Sequence, residues 1–352
     1  MDYNKAALEM HKDNKGNSIK LRGRLFFDIA ALQETKTGGA ALSIDDSEFR
    51  AARIGVEGNY GDFKYVGELD FAGGKTSFKD VNITWKGPVN IKAGQMKAPV
   101  SMEELNSGRH ITFMERGMVT DAFGLDRRIG ITVGKSGKNY SAAAGVFGNS
   151  INGAQDGKKT NTVFAARGTY APVLKDGQVL HIGASVRHVD RTAGAPKRSA
   201  RWGAHLATEK INPAIGDDAF LFGLEAAGVF GPAHIHGEYM KESGDLGSAK
   251  GGFIQGGYFL TGETRTYKAG SGKFDRTKPS RPLSKGGYGG LEIAARYDRL
   301  DARNAFDEKG ETFTAGLTWY PESHLRLKAE YIDASADLYK ASGVQMRLQV
   351  DW

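Results

Sequence analysis

Arginine is the side chain in this sequence best placed to do chemistry, because it recurs at the spacing of β-strands. Arg53, Arg128, Arg187, Arg296, Arg326 and Arg347 each stand on the polar side of a segment whose alternate residues are apolar. A guanidinium is charged at every physiological pH and forks onto two oxyanion oxygens. Arginines gathered on one shared surface would therefore attract and bind anions. The plainer use is pairing with carboxylates at equivalent positions, such as Glu57, Glu292, Asp298, Glu330 and Asp351. For Arg128, Arg187, Arg296 and Arg326, that plainer use is the first expectation.

Other chemistry has less to stand on. His234 and His236 are two apart and could share a strand face, but no third ligand accompanies them, so no metal site is expected. Glu103 and Glu104 could be an acid/base pair, though a tether between a loop and arginines of a strand wall is the simpler reading. No Gly-x-Ser-x-Gly, phosphate-cradling glycine loop or nucleophile triad is recognisable, and neither a cofactor nor enzymatic activity is expected. The 48 Lys+Arg exceed the 41 Asp+Glu by seven. That excess is interleaved with acids, without a run of five like charges, which argues against nucleic acid as a partner.

The elements that position these arginines are clearest in the last ten residues, GVQMRLQVDW (343–352). Val344, Met346, Leu348, Val350 and Trp352 alternate with Gln345, Arg347, Gln349 and Asp351. A period of two makes one strand face apolar and the other polar. About ten such residues, tilted, cross a bilayer. No run of eighteen apolar residues exists, so a membrane could be crossed only by strands closed into a barrel. The 48 glycines, 9 prolines and absent cysteine suit that reading. The pattern also resembles the C-terminal signature of bacterial outer-membrane barrels, which the barrel-assembly machinery reads. Met1 opens a polar stretch, residues 1–17, and the expectation is a mature chain whose leader has been removed.

Strand patterns recur from residue 18 to the end, giving about sixteen antiparallel strands. The expected ranges include 49–60, 63–72, 80–86, 128–134, 178–189, 253–267, 290–300 and 325–333. Short turns at Gly61, Gly87-Pro88, Gly137, Asp176-Gly177, Gly231-Pro232 and Pro321 fall on one side by parity, and longer loops on the other. The exception is 268–287, a long connection on the short-turn side. Two segments have no period of two: 98–126 and the basic stretch 190–216. Nearly thirty irregular residues are too many for an ordinary connection, and Phe113, Met114, Val119 and Phe123 argue that the first is packed. A single transmembrane barrel over 18–352 with loops folded inward is the expected architecture. A soluble all-β binding protein is the rival.

Residues 94–131 (GQMKAPVSMEELNSGRHITFMERGMVTDAFGLDRRIGI) resemble the third-loop region of the phosphate-selective porin O/P family. YFLTGETRTY (258–267), followed by Phe274, Pro279 and Pro282, and GLEAAGVFGPAHIHGEY (223–239) are similar to it as well. The resemblance implies a trimeric, sixteen-stranded outer-membrane channel for small anions, in contact with membrane lipid and lipopolysaccharide, whose third and fifth loops constrict the lumen. It implies an anion site at Arg50 of the motif FRAAR, at Arg109 in the third loop and at Arg201 in the fifth; Arg53, placed inward by parity, and the basic Lys197 and Arg198 are expected to join it. Ala51 stands where a second arginine is usual, and Ser199 and Trp202 depart from the family's pattern. A broader anion specificity, or a channel for aromatic or aliphatic carboxylates using Phe113 and Trp202, is therefore open. Strand parity also predicts that Leu348→Arg is costly and Arg347→Leu mild.

Overall fold

The computed structural model describes residues 8–153, 162–190, 198–306 and 308–352. Sixteen strands run β1 Ser18–Lys36, β2 Ala41–Tyr60, β3 Phe63–Asp70, β4 Ser77–Lys86, β5 Asn90–Lys97, β6 Arg127–Ser136, β7 Tyr140–Phe147 and β8 Thr162–Lys175. They continue as β9 Gln178–Asp190, β10 Ala219–Phe230, β11 Ala233–Gly244, β12 Ser248–Phe259, β13 Gly290–Ala302, β14 Lys309–Glu322, β15 Leu325–Ala336 and β16 Tyr339–Asp351. Each pairs antiparallel with its sequence neighbours, and β16 pairs back onto β1, with Val350 opposite Leu25 and Leu348 opposite Phe27. The sheet is thus a closed barrel with no free edge among these strands.

Closure is secured at the last residue. Trp352 and Gly23 exchange backbone hydrogen bonds at 3.1 Å. A Cβ at Gly23 would lie 2.2 Å from the Trp352 ring, so only glycine leaves room for the terminal aromatic. The two-residue turns at Gly61, Gly177 and Gly231 all require φ between 53° and 67°, which glycine adopts without strain. Beside this end, Leu8–Lys12 of the N-terminal segment pairs with the start of β1.

Burial is inverted relative to a soluble protein. Outward side chains such as Ile131 (57% exposed), Ile254 and Met346 are apolar and bare, whereas the inward charges Glu68, Glu242, Arg296 and Arg347 are buried. That is the arrangement expected when the solvent outside is hydrocarbon. An apolar core exists too, but inside the barrel. Met118, Val119 and Phe123 of one inward segment pack with Trp202, Ile211 and Ile215 of another.

Two expected boundaries shift. The strand expected at 253–267 is β12, Ser248–Phe259. It ends because Gly262 turns with φ 88° and the chain enters the lumen. β2 begins at Ala41, well before the expected 49, because its polar upper half, including Asp45 and Asp46, pairs with β1 beyond the apolar stretch.

Candidate functional site

The third loop of the long-loop end, 98–126, runs across the barrel interior and is bolted to the wall from β9 to β16. It carries two short helices, α1 Met102–Leu105 and α2 Met118–Ala122. Four of its backbone N–H groups donate to buried wall carboxylates: Met102 to Glu225 at 2.9 Å, Glu103 to Glu238 at 2.6 Å, Met114 to Glu330 at 2.6 Å and Met118 to Asp298 at 3.1 Å. Wall cations take its carbonyls in return. Lys328 Nζ donates to Ile111, Thr112 and Phe113 within 3.0 Å, Arg187 to Phe123 at 2.7 Å and Arg296 to Glu115 at 2.8 Å. Without these groups, buried irregular backbone would leave donors and acceptors unpaired.

The fifth connection crosses to the opposite wall. Trp202 Nε1 donates to Glu34 of β1 at 2.8 Å, His205 Nδ1 lies 2.7 Å from Glu48 of β2, and Gln345 donates to the Gly203 carbonyl at 3.1 Å. The connection 260–289 enters from the short-turn end, which accounts for the length that parity could not place. Its Phe274 N–H donates to Asn106 at 3.0 Å and its Arg265 to Thr112 at 2.7 Å, so it props the third loop from beneath.

These segments fill the side of the lumen facing β10–β16 and leave a cavity of about 780 Å³ against β1–β6. Arg50, Arg53, Arg109 and Arg201 all line it, although they come from one strand and two loops. Arg50 and Arg53 are three apart, an odd spacing for one face. The ladder pairs Phe49 with Phe27 and Ala51 with Phe26, so Arg50 is the extra residue of a bulge and is re-aimed inward. Arg50 then forks onto Glu115 at 2.8 and 2.9 Å. Arg53 binds Asp70 at 2.7 Å, and Arg109 lies 4.0 Å from Asp351. Arg201 donates to the Ala207 carbonyl at 3.4 Å and has no carboxylate partner among the described residues.

Other expected positions are used differently. Arg198 does not reach the cavity: it is buried against Glu242, at 2.8 Å, and the Gly216 carbonyl, and so anchors the fifth loop. Lys197 lies outside the described residues. Arg187 and Arg296 hold the third loop, as above, and Arg326 is buried over the Tyr320 ring at 4.7 Å. Arg128 bonds the Gly148 carbonyl at 3.3 Å, while its neighbour Arg127, at the strand's first residue, lines the cavity and pairs with Asp80 at 2.8 Å. Glu104 is tethered to Lys97 at 2.8 Å and Arg116 at 3.2 Å, so a strand lysine and a loop arginine take the part expected of wall arginines. His234 and His236 are occupied by Glu292 and Glu238. Phe113 and Trp202 do not line the cavity: Trp202 is buried in the loop core, and Phe113 is buried against the wall, with the Arg296 guanidinium 4.7 Å from its ring.

Arg347 corrects the expectation that its replacement by leucine would be mild. It forks onto Asp28 at 2.7 and 2.6 Å, reaches Glu115 at 2.8 Å, and donates to the Met114 carbonyl. Parity places it inward correctly but says nothing of the loop that meets it there.

Several cavity cations escaped the sequence reading. Arg22, Arg24 and Arg53 converge on the buried Glu68 at 3.2 to 3.3 Å. Lys64 of β3, Lys92 of β5 and Lys273 of the 260–289 connection line the short-turn end without an ion-pair partner among the described residues. Inward parity of Lys64 and Lys92 was a usable signal, whereas nothing local marks Lys273. In all, fourteen lysines and arginines line the cavity against six carboxylates among the described residues. Burial, then Lys92 and Arg167, lower Lys273 to about 8. Burial, then Glu115, raise Asp121 of α2 to about 7. Burial holds His110 at about 3, neutral despite Asp275.

The family model described as phosphate-selective porin O and P matches residues 19–352. The chain belongs to that family. It is a bacterial outer-membrane porin. Porin O of Pseudomonas aeruginosa is 29% identical over 95% of this chain and 86% of its own length. A Caulobacter vibrioides protein is 32% identical over 89% and 68% respectively. Among solved structures, the anion-selective porin of Comamonas acidovorans superposes with a TM-score of 0.60 over 96% of this chain and all of its own, at 12% identity, a likeness of fold. The two-residue turns and Trp352 share one end of the barrel; the third and fifth loops enter the lumen from the other end, and the 260–289 connection enters from the short-turn end.

Proposed function

We propose that this porin passes small inorganic anions by passive diffusion along the β1–β6 side of its lumen, without catalysis. The observation that carries this is the fourteen-to-six excess of cations over carboxylates on the cavity wall. A narrow channel walled by low-dielectric loops focuses that charge and concentrates anions. Arg201, Lys64, Lys92 and Lys273, which lack ion pairs among the described residues, form successive weak sites, with Arg109, Arg50 and Arg53 as the central group. Weak multiple sites allow exit as well as entry. Ala51 lines the cavity where a second strand arginine would add two donors, so phosphate is bound loosely and shares the path with other anions. Phe113 and Trp202, the aromatics on which a channel for aromatic carboxylates would rely, face away from the path. A homotrimer belongs to the same proposal, with the small-residue outer face of Ala142, Ala144, Ala166, Gly168 and Ala184 as the surface met by neighbouring copies. So does delivery by the barrel-assembly machinery through β16.

Chloride current through single channels tests the specificity. Adding phosphate should reduce it only at millimolar levels, and Ala51→Arg should strengthen that block. Block of the unmodified channel at micromolar phosphate would refute the loose site.

The pH dependence has a definite sign. As pH rises through about 7, Asp121 gains a negative charge, and through about 8 Lys273 loses a positive one. Both changes make the lumen less positive, so the chloride-to-potassium permeability ratio should fall in two steps between pH 6 and 9. Asp121→Asn should shrink the lower step and Lys273→Arg should remove the upper. A flat profile in the unmodified porin would contradict this.

A further inference from the structure

Outside the barrel, near the extracellular end of β11–β13, lies a second recess of about 390 Å³ lined by Lys241, Ser248, Lys250, Asp301, Arg303 and Asn304. It has no opening to the conduction path, because Lys241 and Lys250 stand on the outward face: the alternate residues Glu242 and Ala249 are buried within. Lys241 and Lys250 are directly opposed in the β11–β12 ladder. Like charges so placed repel. Asp301, opposite Lys250, forks instead onto Arg303 at 3.0 and 2.6 Å. Neither lysine has an ion-pair partner among the described residues. Arg299, half exposed, adds a further cation one step below.

Position in the membrane decides what faces these charges. The outward residues just below are Tyr239, Ile254 and Tyr297, all between 42% and 55% exposed. Interfacial tyrosines mark the level where acyl chains give way to headgroups. Between them the outward positions Gly237 and Gly252 carry no side chain, so bare backbone runs down from the lysines. On the other side of the recess the Ser248–Asn304 bridge closes its top. The cations therefore stand at headgroup height in the outer leaflet, above a furrow into which a chain can lie.

We infer that this recess binds a phosphate group on the headgroup of an outer-leaflet glycolipid, lipopolysaccharide in this membrane, with Lys241 and Lys250 converging on one phosphate and an acyl chain lying over Gly237 and Gly252. Basic pockets at a membrane boundary bind lipid phosphates in this way, and a bound phosphate would also remove the repulsion between the two lysines. Ser248 supplies a hydroxyl donor, and Arg303 rims the site from its Asp301 clamp.

The test uses the purified full-length porin in detergent, with native mass spectrometry counting bound lipid. Three ligands are compared: a diphosphorylated lipid A, the same lipid dephosphorylated, and inorganic phosphate as competitor. Wild-type porin should retain the phosphorylated lipid, and the double variant Lys241→Ser, Lys250→Ser should bind it roughly thirtyfold more weakly, about what two headgroup-level charges contribute. The control Lys340→Ser should bind as wild type. Single-channel conductance of the double variant should be unchanged, which shows that it has folded. Equal retention by wild type and double variant, or equal retention of the dephosphorylated lipid, would overturn the assignment. Displacement of the lipid by micromolar inorganic phosphate would overturn the lipid as the ligand and leave a site for the free anion.

Discussion

Arg347→Leu should destabilise the folded porin by roughly 3–5 kcal/mol and raise its single-channel conductance. Breaking a buried ion pair by removing one partner leaves the other charge without compensation, and that residual charge sets the cost. Here the change strands Asp28 on β1 and leaves Glu115 in the third loop held by Arg50 alone. Arg50 and Arg347 together hold Glu115 far below the ordinary carboxylate range against the opposing effect of burial. Without Arg347, the Met114 carbonyl also loses its donor. The middle of the third loop would then be free to leave the wall, widening and unsettling the pore. Urea unfolding in lipid vesicles gives the first effect, and planar-bilayer recording the second. Arg347→Lys should keep much of the stability but lose the fork onto Asp28. Unchanged stability and unchanged conductance in Arg347→Leu would show that the loop is held by other contacts alone.

Leu348→Arg, one residue further on, should cost roughly 2–4 kcal/mol for a different reason. Leu348 faces outward beside Phe27 and Leu327, all about 40% exposed. It lies four residues before Trp352, or roughly 10 Å deeper in the bilayer for a tilted strand. An arginine there must reach through hydrocarbon to a headgroup. The two substitutions thus separate two kinds of failure. Leu348→Arg should impair insertion and leave conductance normal in the barrels that form, whereas Arg347→Leu should alter conductance in barrels that insert. If Leu348→Arg folds in lipid as readily as the wild type, the outward face has been assigned wrongly.

Much of this was legible in the sequence because strand parity is a local property. The alternation in 343–352 placed Arg347 and Leu348 on opposite faces, and the absence of a period in 98–126 marked a loop with its own packing. Convergence was legible only through the family resemblance. Arg50 and Arg53 share the lumen through a bulge that no alternation signals, and Arg198 and Arg201, three residues apart in one loop, divide between anchoring and channel lining. The use of Arg187 and Arg296 as loop anchors depends on contacts 64 and 181 residues away in the sequence. Lys273 illustrates the limit: its place at the channel end follows from a connection at the short-turn end folding back into the lumen, which its neighbours in sequence do not encode.

Anion preference should reside in the lumen cations rather than in the net charge of +7. Exposed charge is screened beyond about 8 Å at physiological salt, while charges in a narrow pore act through an effective dielectric near 20, about fourfold more strongly than in water. Reversal potentials under a potassium chloride gradient compare Arg109→Glu, in the cavity, with Lys340→Glu, on the exposed end of β16. Both remove one positive charge and add one negative. Arg109→Glu should abolish or invert the chloride preference, and Lys340→Glu should leave it where the wild type has it. An equal shift in the two variants, or none in Arg109→Glu, would contradict a selectivity built from the cavity wall.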